Sequence, residues 1–285
     1  AKARALLAKP PEPYLKHLGE SVYSELAQAA AAGRFTATTD HAAISKADAI
    51  IVCVPTPLDA KHKPDLSYVT KAGEMIAKHA RFSGERPPLL VLESTSYPGT
   101  TRDDFLAPLR GLRPDLVLGK DYFAAFSPER EDPGNKHYST TEIPKLVGGL
   151  DAQSTVEAAA LYRRAFETVI ETSSAEVAEA AKLLENIFRS VNIALVNELK
   201  VVFEAMGIDV WEVIAAAKSK PFGFMPFYPG PGLGGHCIPI DPFYLSWKAE
   251  QIGVASRFIE LAGVVNTRMP QLVVGKVLGA LGARR

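Results

Sequence analysis

Cys237 lies in the run Tyr228-Pro-Gly-Pro-Gly-Leu-Gly-Gly-His-Cys-Ile-Pro-Ile-Asp-Pro-Phe-Tyr-Leu245. A glycine-rich loop there delivers a thiol to the predicted start of a helix. Pro239 and Pro242 suit a first helical turn, where a missing N–H costs little. Unpaired N–H groups and the positive end of the helix dipole lower a thiol pKa, which makes Cys237 a candidate nucleophile. Asp241, four residues on, shares its face if the segment is helical. A lone cysteine is otherwise a small buried hydrophobe; the flanking glycines, prolines and Asp241 favour the reactive alternative. Lys182 and Asn186, also four apart on a predicted long helix, project from one face. A half-buried ammonium beside a thiol stabilises an oxyanion, and Asn186 can hold a water or a substrate oxygen. Spacing alone does not bring either of them to Cys237.

Gly230-Pro-Gly-Leu-Gly-Gly235 matches G-x-G-x-x-G letter for letter. No strand precedes it and prolines interrupt it, so it is not a dinucleotide fingerprint. Glycine lets backbone approach a ligand closely, so Gly230 and Gly234 are candidate substrate contacts, with Phe227 and Tyr228 lining the loop. His236 adjoins Cys237, and adjacent side chains often diverge, which disfavours a Cys-His dyad. The six histidines and two cysteines have no metal-ligand spacing. Cys53 falls within an apolar strand and is expected in the core.

These groups need a frame to hold them. Apolar runs at Ala49–Val54, Leu89–Leu92, Tyr122–Phe126, Lys145–Gly149 and Glu167–Ile170 alternate with helical stretches at Tyr68–His79, Thr101–Leu109 and Ala152–Phe166. Short apolar strands separated by helices predict a parallel sheet covered on both faces. Such sheets bind ligands at the carboxyl ends of their strands. Thr56, Thr95 and Glu129 fall at those ends, where turn and cap chemistry is the competing explanation. Ala175–Met206 then reads as one long helix stopped by Gly207. Its apolar positions Val177, Leu184, Phe188, Val191, Leu195 and Val202 predict burial on several sides. A short helix capped by Asp209, a helix over about Pro239–Gln251 and a last one over Ser256 to about Leu281, kinked at Pro270, complete the chain.

The 285 residues suffice for two domains. Lys+Arg and Asp+Glu are both 32, so no charge excess points to nucleic acid or an anionic membrane surface. Two cysteines give no disulfide framework and suit a reducing, cytoplasmic compartment. No apolar run is long enough to span a bilayer, and no signal peptide is visible.

Val52-Cys-Val-Pro-Thr-Pro57, Glu93-Ser-Thr-Ser-Tyr-Pro-Gly-Thr100, Ser127-Pro-Glu-Arg-Glu-Asp-Pro-Gly134, Ala178-Glu-Ala-Ala-Lys-Leu-Leu-Glu-Asn186 and Gly230–Asp241 occur in this order. Together they resemble the nucleotide-sugar 6-dehydrogenases, the UDP-glucose/GDP-mannose dehydrogenase family, and most resemble its UDP-N-acetylglucosamine 6-dehydrogenases. The UDP-glucose branch usually carries Lys before the catalytic Asp; Ile240 stands there in this chain. The resemblance implies a two-step oxidation of a sugar C6 alcohol with NAD, through a thiohemiacetal and a thioester on Cys237. It implies Asp241 as base with a bound water, Lys182 and Asn186 as oxyanion stabilisers, Glu129 in proton transfer and Thr95 in placing water or cofactor. Val54, Pro55, Thr56, Ser94, Thr95 and Glu129 would contact NAD. Glu129, Arg130, Lys182, Asn186, Phe227, Tyr228, Gly230 and Gly234 would contact the UDP-sugar.

The fold implied is a partial Rossmann-like parallel-sheet domain over residues 1–172, followed by an all-α central domain over 173–285 that dimerises through its long helix. The family's first strand, its true G-x-G-x-x-G loop and its C-terminal UDP-binding domain have no counterpart here. The expectation is therefore an internal fragment, inactive alone. A vestigial dimerisation module, or a hydroxyacid or 6-phosphogluconate dehydrogenase relative, are the alternatives. The latter chemistry needs no cysteine.

Overall fold

The computed structural model describes residues 19–59, 63–83, 85–131, 138–235 and 238–282. His236 and Cys237 lie outside the described residues. Helix α1 (Gly19–Ala31) and a 3-10 turn (His41–Lys46) precede β1 (Ala49–Val52). Then follow α2 (Ser67–His79), β2 (Leu89–Leu92), a π-helical turn (Thr101–Phe105), α3 (Ala107–Leu112) and β3 (Phe123–Phe126). Next come β4 (Lys145–Gly149), α4 (Ala152–Tyr162) and β5 (Val169–Glu171). The remainder is helical: α5 (Ala175–Ala205), α6 (Val210–Lys218), α7 (Asp241–Gln251) and α8 (Arg257–Gly282).

The five strands form one sheet in sequence order. β1, β2 and β3 are parallel, with Ala49 opposite Leu89 and Leu89 opposite Phe123. Successive side chains point to opposite faces, so Leu90 and Leu92 join Val69, Phe105, Leu109 and Phe126 on one side. Leu89 and Val91 join Ala125, Val147, Ala158 and Tyr162 on the other. Both faces are covered by helices, as the α/β expectation requires. One part of that expectation is corrected: β4 runs antiparallel to β3, and β5 is parallel to β4. A parallel partner needs a crossover over one face of the sheet, whereas the chain between β3 and β4 carries no helix among its described residues.

Two helix boundaries differ from expectation, and so does the buried face of α5. The stretch Thr101–Leu109 divides into the π-helical turn and α3, with Pro108 in the first turn of α3. A proline cannot donate the i→i−4 bond that would make the helix continuous. Pro239 lies outside α7, which begins at Asp241 with Pro242 in its first turn. The predicted apolar stripe of α5 is not its buried face: Val177, Leu184, Phe188, Leu195 and Val202 are all exposed, Leu184 at 66%. The buried face consists of Ala175, Ala178, Glu179, Leu183, Asn186, Ser190, Ala194, Val196 and Asn197, mostly small and polar residues on which the sheet, α7 and α8 pack closely. Elsewhere the caps read from sequence are present. Asp209 accepts from the Trp211 N–H to start α6, and Gly207 takes φ +72° to end α5.

Helix α5 is joined to the sheet at two places. A Cβ on Gly148 of β4 would lie 2.2 Å from the Ser174 carbonyl oxygen, so only glycine admits the N-terminus of α5 there. One turn on, the carboxylate of the fully buried Glu179 accepts from the Gly99 N–H (2.6 Å), the Thr101 N–H (2.9 Å) and the Thr101 hydroxyl (2.7 Å). It thereby caps the π-helical turn from outside. Leu183, Tyr97 and Tyr244 continue this contact as a small apolar cluster joining α5, the loop after β2 and α7.

Burial pushes the Glu179 carboxyl up to about 7 from the ordinary 4.5, although its hydrogen bonds oppose the shift. The folded state therefore binds a proton more tightly than the unfolded chain. Relative to Glu179→Gln, stability should rise as pH falls from about 7 toward 4.5, and be lost as pH rises through about 7. Urea titrations of both proteins on either side of this window check it; a pH-independent difference would contradict it. Glu179→Ala, which leaves buried donors unpaired, should cost about 3 kcal/mol.

Candidate active site

The strands β1, β2 and β3 end along one edge of the sheet, and the antiparallel β4 begins there. Thr95 follows β2, Glu129 follows β3, and α5 and α7 pass across the same edge. The focus is Asp241, the first residue of α7, which is 2% exposed. Its carboxylate accepts from the Asn186 side-chain amide at 2.5 Å and from the Thr95 hydroxyl, with the Lys182 ammonium close enough to act on its charge. Lys182 in turn donates to the main-chain carbonyl of Glu129 at 2.5 Å. Five residues singled out from the sequence thus meet in space: Thr95, Glu129, Lys182, Asn186 and Asp241. Lys182 and Asn186 are one turn apart on α5, as their spacing required.

Burial raises the Asp241 carboxyl to about 6 from the ordinary 3.8, while the charge of Lys182 and the hydrogen bonds from Asn186 and Thr95 hold it down. A carboxylate poised in this way is ionised at neutral pH yet basic enough to take a proton. The Glu129 side chain is bound to other groups. One oxygen accepts from the N–H groups of Arg130 and Glu131 at 2.8 and 2.7 Å; the other accepts from Lys145 at 3.3 Å. Glu129 therefore meets Lys182 through its backbone in this structure.

The loops after β1 and β2 are bound side by side. The Ser94 hydroxyl accepts from the Val54 N–H at 2.7 Å and donates to the Val52 carbonyl at 3.3 Å. The Tyr244 hydroxyl donates to the Thr56 carbonyl at 3.0 Å, which ties α7 to the same loops. Val54, Pro55, Thr56, Ser94 and Thr95 form a neutral shelf of apolar and hydroxyl groups beside Asp241. Such a surface fits the flat nicotinamide ring of a dinucleotide. Among the described residues, this edge has no glycine-rich strand-to-helix turn for a pyrophosphate.

Other expected contacts lie elsewhere. Arg130 donates to the Pro144 carbonyl and pairs with Glu185 of α5, both at 2.7 Å, so its guanidinium pins the loop after β3. Phe227 packs edge-on against Phe188, and Tyr228 stacks on Trp211. The Gly230 N–H donates to Asn197, about 16 Å along α5 from Asn186 by helical rise. Gly234 is exposed, with nothing near the position of a Cβ. Cys53 is corrected: it follows β1 and is exposed, with its thiol donating to Glu93 at 3.4 Å. Partial desolvation of its sulfur, which lies against Glu93, and the charge of that carboxylate push the thiol up to about 12, which makes it unreactive.

Sequence reasoning did not single out Glu93, Lys145, Tyr162 or Tyr244. A charged residue opening an apolar strand was the available signal for Lys145, and a tyrosine in the run after Asp241 was the signal for Tyr244. Neither carries meaning until its partner is known.

Lys182→Met removes the ammonium that holds the Asp241 carboxyl down, so its pKa should rise above about 6, and Asn186→Ala should move it the same way. Carbon-13 NMR titration of aspartate-labelled protein reports this directly. An Asp241 value that stays put in both variants would show that neither group contributes to the field at this carboxylate.

Residues 16–166 match the model of the UDP-glucose/GDP-mannose dehydrogenase family, NAD binding domain, and residues 176–268 match that family's central domain. The chain is 40% identical over 247 residues to a UDP-N-acetyl-D-glucosamine 6-dehydrogenase of Pseudomonas aeruginosa, covering 85% of this chain and 56% of that protein. It is 35% identical over 271 residues to a UDP-N-acetyl-D-mannosamine dehydrogenase of Salmonella typhi, covering 93% of this chain and 62% of that protein. A UDP-D-ManNAc dehydrogenase structure from Pyrococcus horikoshii superimposes with a TM-score of 0.85 at 31% identity, over 99% of this chain and 63% of the other. The chain thus spans less than two thirds of each of these relatives. NAD is the cofactor of the matched N-terminal domain, and the chain belongs to the UDP-glucose/GDP-mannose dehydrogenase family.

Proposed function

We propose that this chain carries the catalytic core of an NAD-dependent oxidation of the C6 alcohol of a UDP-N-acetylhexosamine, UDP-N-acetylglucosamine first, to the uronic acid. The observation that carries the proposal is the convergence of Thr95, Lys182 and Asn186 on the buried carboxylate of Asp241. The 40% identity to a UDP-N-acetyl-D-glucosamine 6-dehydrogenase supports the choice of sugar, as does Ile240 before Asp241. NAD, when bound, accepts the hydride lost from C6 at each of the two oxidation levels.

The chain's own residues handle protons and negative charge. Asp241, ionised at neutral pH, draws the proton from the C6 hydroxyl through a water. The Cys237 thiolate adds to the aldehyde carbon, and the carbonyl oxygen becomes the oxyanion of a thiohemiacetal. Lysine has three N–H donors and Lys182 uses one on the Glu129 carbonyl, so the ammonium is oriented with donor capacity for that oxyanion. Loss of the second hydride leaves a thioester. Water then adds to its carbonyl carbon, the C–S bond breaks, the thiol is regenerated and the carboxylic acid departs. Glu129 lies on the loop touching Lys182 and would assist the water's deprotonation once its side chain turns inward. The junction between sheet domain and central domain falls near residue 172, between β5 and α5. A chemistry that needs a free thiolate suits a reducing compartment, the cytoplasm.

In the protein that contains this chain, Cys237→Ser should reduce acid formation by at least about a thousandfold, because a serine hydroxyl replaces a thiolate. Near-normal acid formation by that variant would remove the covalent route. The rate should also rise with pH through about 6 as Asp241 ionises. Absence of any saturable NAD binding would instead leave only a folded module.

The exposed stripe Val177, Leu184, Phe188, Leu195 and Val202 recurs at heptad-like spacing along α5. We read it as the face through which two copies associate. Sedimentation at micromolar concentration should show a dimer, and Leu184→Glu with Leu195→Glu should give a monomer. A monomer before mutation would disprove this assignment.

A further inference from the structure

Beneath the loop that contacts Lys182 lies a charge cluster running from the interior to the surface: Lys145 is buried, Glu93 is nearly so, and the Glu129 side chain is 51% exposed. Lys145, the first residue of β4, is 3% exposed, an unusual position for a lysine. Its ammonium pairs with Glu93 at 3.1 Å and with Glu129 at 3.3 Å. It also lies over the rings of Tyr162 and Phe166, at 5.2 and 5.3 Å. Glu93 is held on its other sides: one oxygen accepts from the Tyr162 hydroxyl, the other from the Cys53 thiol. A buried ion pair is weak as a stability device, because apolar residues of similar volume usually do as well. The second carboxylate, Glu129, is half-exposed, and its pair with Lys145 adds little stability, so stability alone is a poor account of this cluster.

What the cluster does is fix Glu129 from below. The loop after β3 then has two fastenings at a single residue: the carboxylate is tied to Lys145, and the carbonyl is tied to Lys182. We propose that Lys145 is a positioning residue, acting through Glu129 to aim the Lys182 ammonium at the reacting carbon's oxygen. This rests on the function proposed above. The antiparallel turn of β4 is what makes the device possible, since it brings the start of that strand to the edge where β2 and β3 end.

The groups facing Glu129 are Lys145 from β4, Glu93 from the end of β2, and Lys182 and Glu185 from α5, with Arg130 and Glu131 on its own loop. Burial acts to raise the Glu129 carboxyl, but the Lys145 charge and the loop N–H bonds outweigh it, and its pKa lies below the ordinary value. Removing the ammonium should therefore raise it, and free the loop that orients Lys182.

The test uses the protein that contains this chain, with Lys145→Met, Glu129→Gln and the double variant. Lys145→Met should lower kcat about tenfold with little change in KM for the UDP-sugar, and should move the acid limb of the profile to higher pH. In the Glu129→Gln background the same change should have almost no further effect, because the path from Lys145 to Lys182 is already cut. Additive losses in the double variant, or an unaltered kcat and pH profile in a folded Lys145→Met protein, would overturn the proposal. If Lys145→Met does not fold, the same readings are taken on Lys145→Met with Glu93→Gln, which removes the uncompensated carboxylate. Carbon-13 titration of Glu129 gives a reading independent of turnover: its pKa should rise in the lysine variant, and a fixed value rejects the proposal. A parent protein without turnover would fail the proposed function, while this titration still decides the role of Lys145.

Discussion

A carboxylate taken out of water must be compensated where it lies, and Asp241 is compensated by three groups from two separate parts of the chain. The Asn186 amide comes from α5, the Thr95 hydroxyl from the end of β2, and the Lys182 charge from one turn back on α5. Losing any of these leaves a buried charge partly unpaired, at a cost of a few kcal/mol. The position of α7 relative to the sheet is therefore set by polar geometry as well as by packing. Tyr244, one turn further along α7, reinforces it by donating to the Thr56 carbonyl. The same constraint leaves Asp241 with a pKa near neutrality, so the feature that joins the helical part to the sheet also prepares a base.

Helix α5 serves both sides of this arrangement. Its sheet-facing side is lined by small and polar residues, which permit close approach; Ala175 and Ala178 enter the sheet core itself. Glu179 caps the π-helical turn after β2, and Lys182 and Asn186 reach the sheet edge a turn later. Val177, Leu184, Phe188, Leu195 and Val202 face outward, while Leu183 and Val196 are the larger apolar residues on the inner face. Leucines or phenylalanines in place of Ala178 and Ser190 would hold the helix further from the sheet, and a hydrogen bond of 2.5 Å to Asp241 would be out of reach.

The loop after β3 is held with similar economy. Arg130 fastens it to α5 through Glu185 and to the start of β4 through the Pro144 carbonyl, while Glu129 spans from Lys145 to Lys182. Charged groups, rather than apolar ones, carry this fastening. That suits a loop lying at a ligand-binding edge, where a fully apolar contact would have to be shielded from water. The shelf beside it, from Val54 to Thr56 and across to Thr95, is neutral, so the edge changes character from charged to uncharged over a short distance.

The alternation of short apolar runs with helical stretches determined the α/β class, because period-2 and period-3.6 patterns are local properties of the chain. The one-turn spacing of Lys182 and Asn186, the Asp209 cap and the Gly207 stop were legible for the same reason. So was the family, through motifs carried in order. The sense of β4 was not, since a strand's apolar run reads alike in either direction; the connection before it decided the matter. Nor was the outward turn of the α5 stripe, because apolar periodicity marks a face without naming what covers it. Cys53 left its expected place in the core, and Lys145 was not singled out, for a related reason: Cys53 is exposed just past its strand end, and Lys145 is buried where two carboxylates and two aromatic rings meet it. Burial of a charge depends on partners far away in sequence, 52 residues in the case of Glu93, and only the folded chain brings them together.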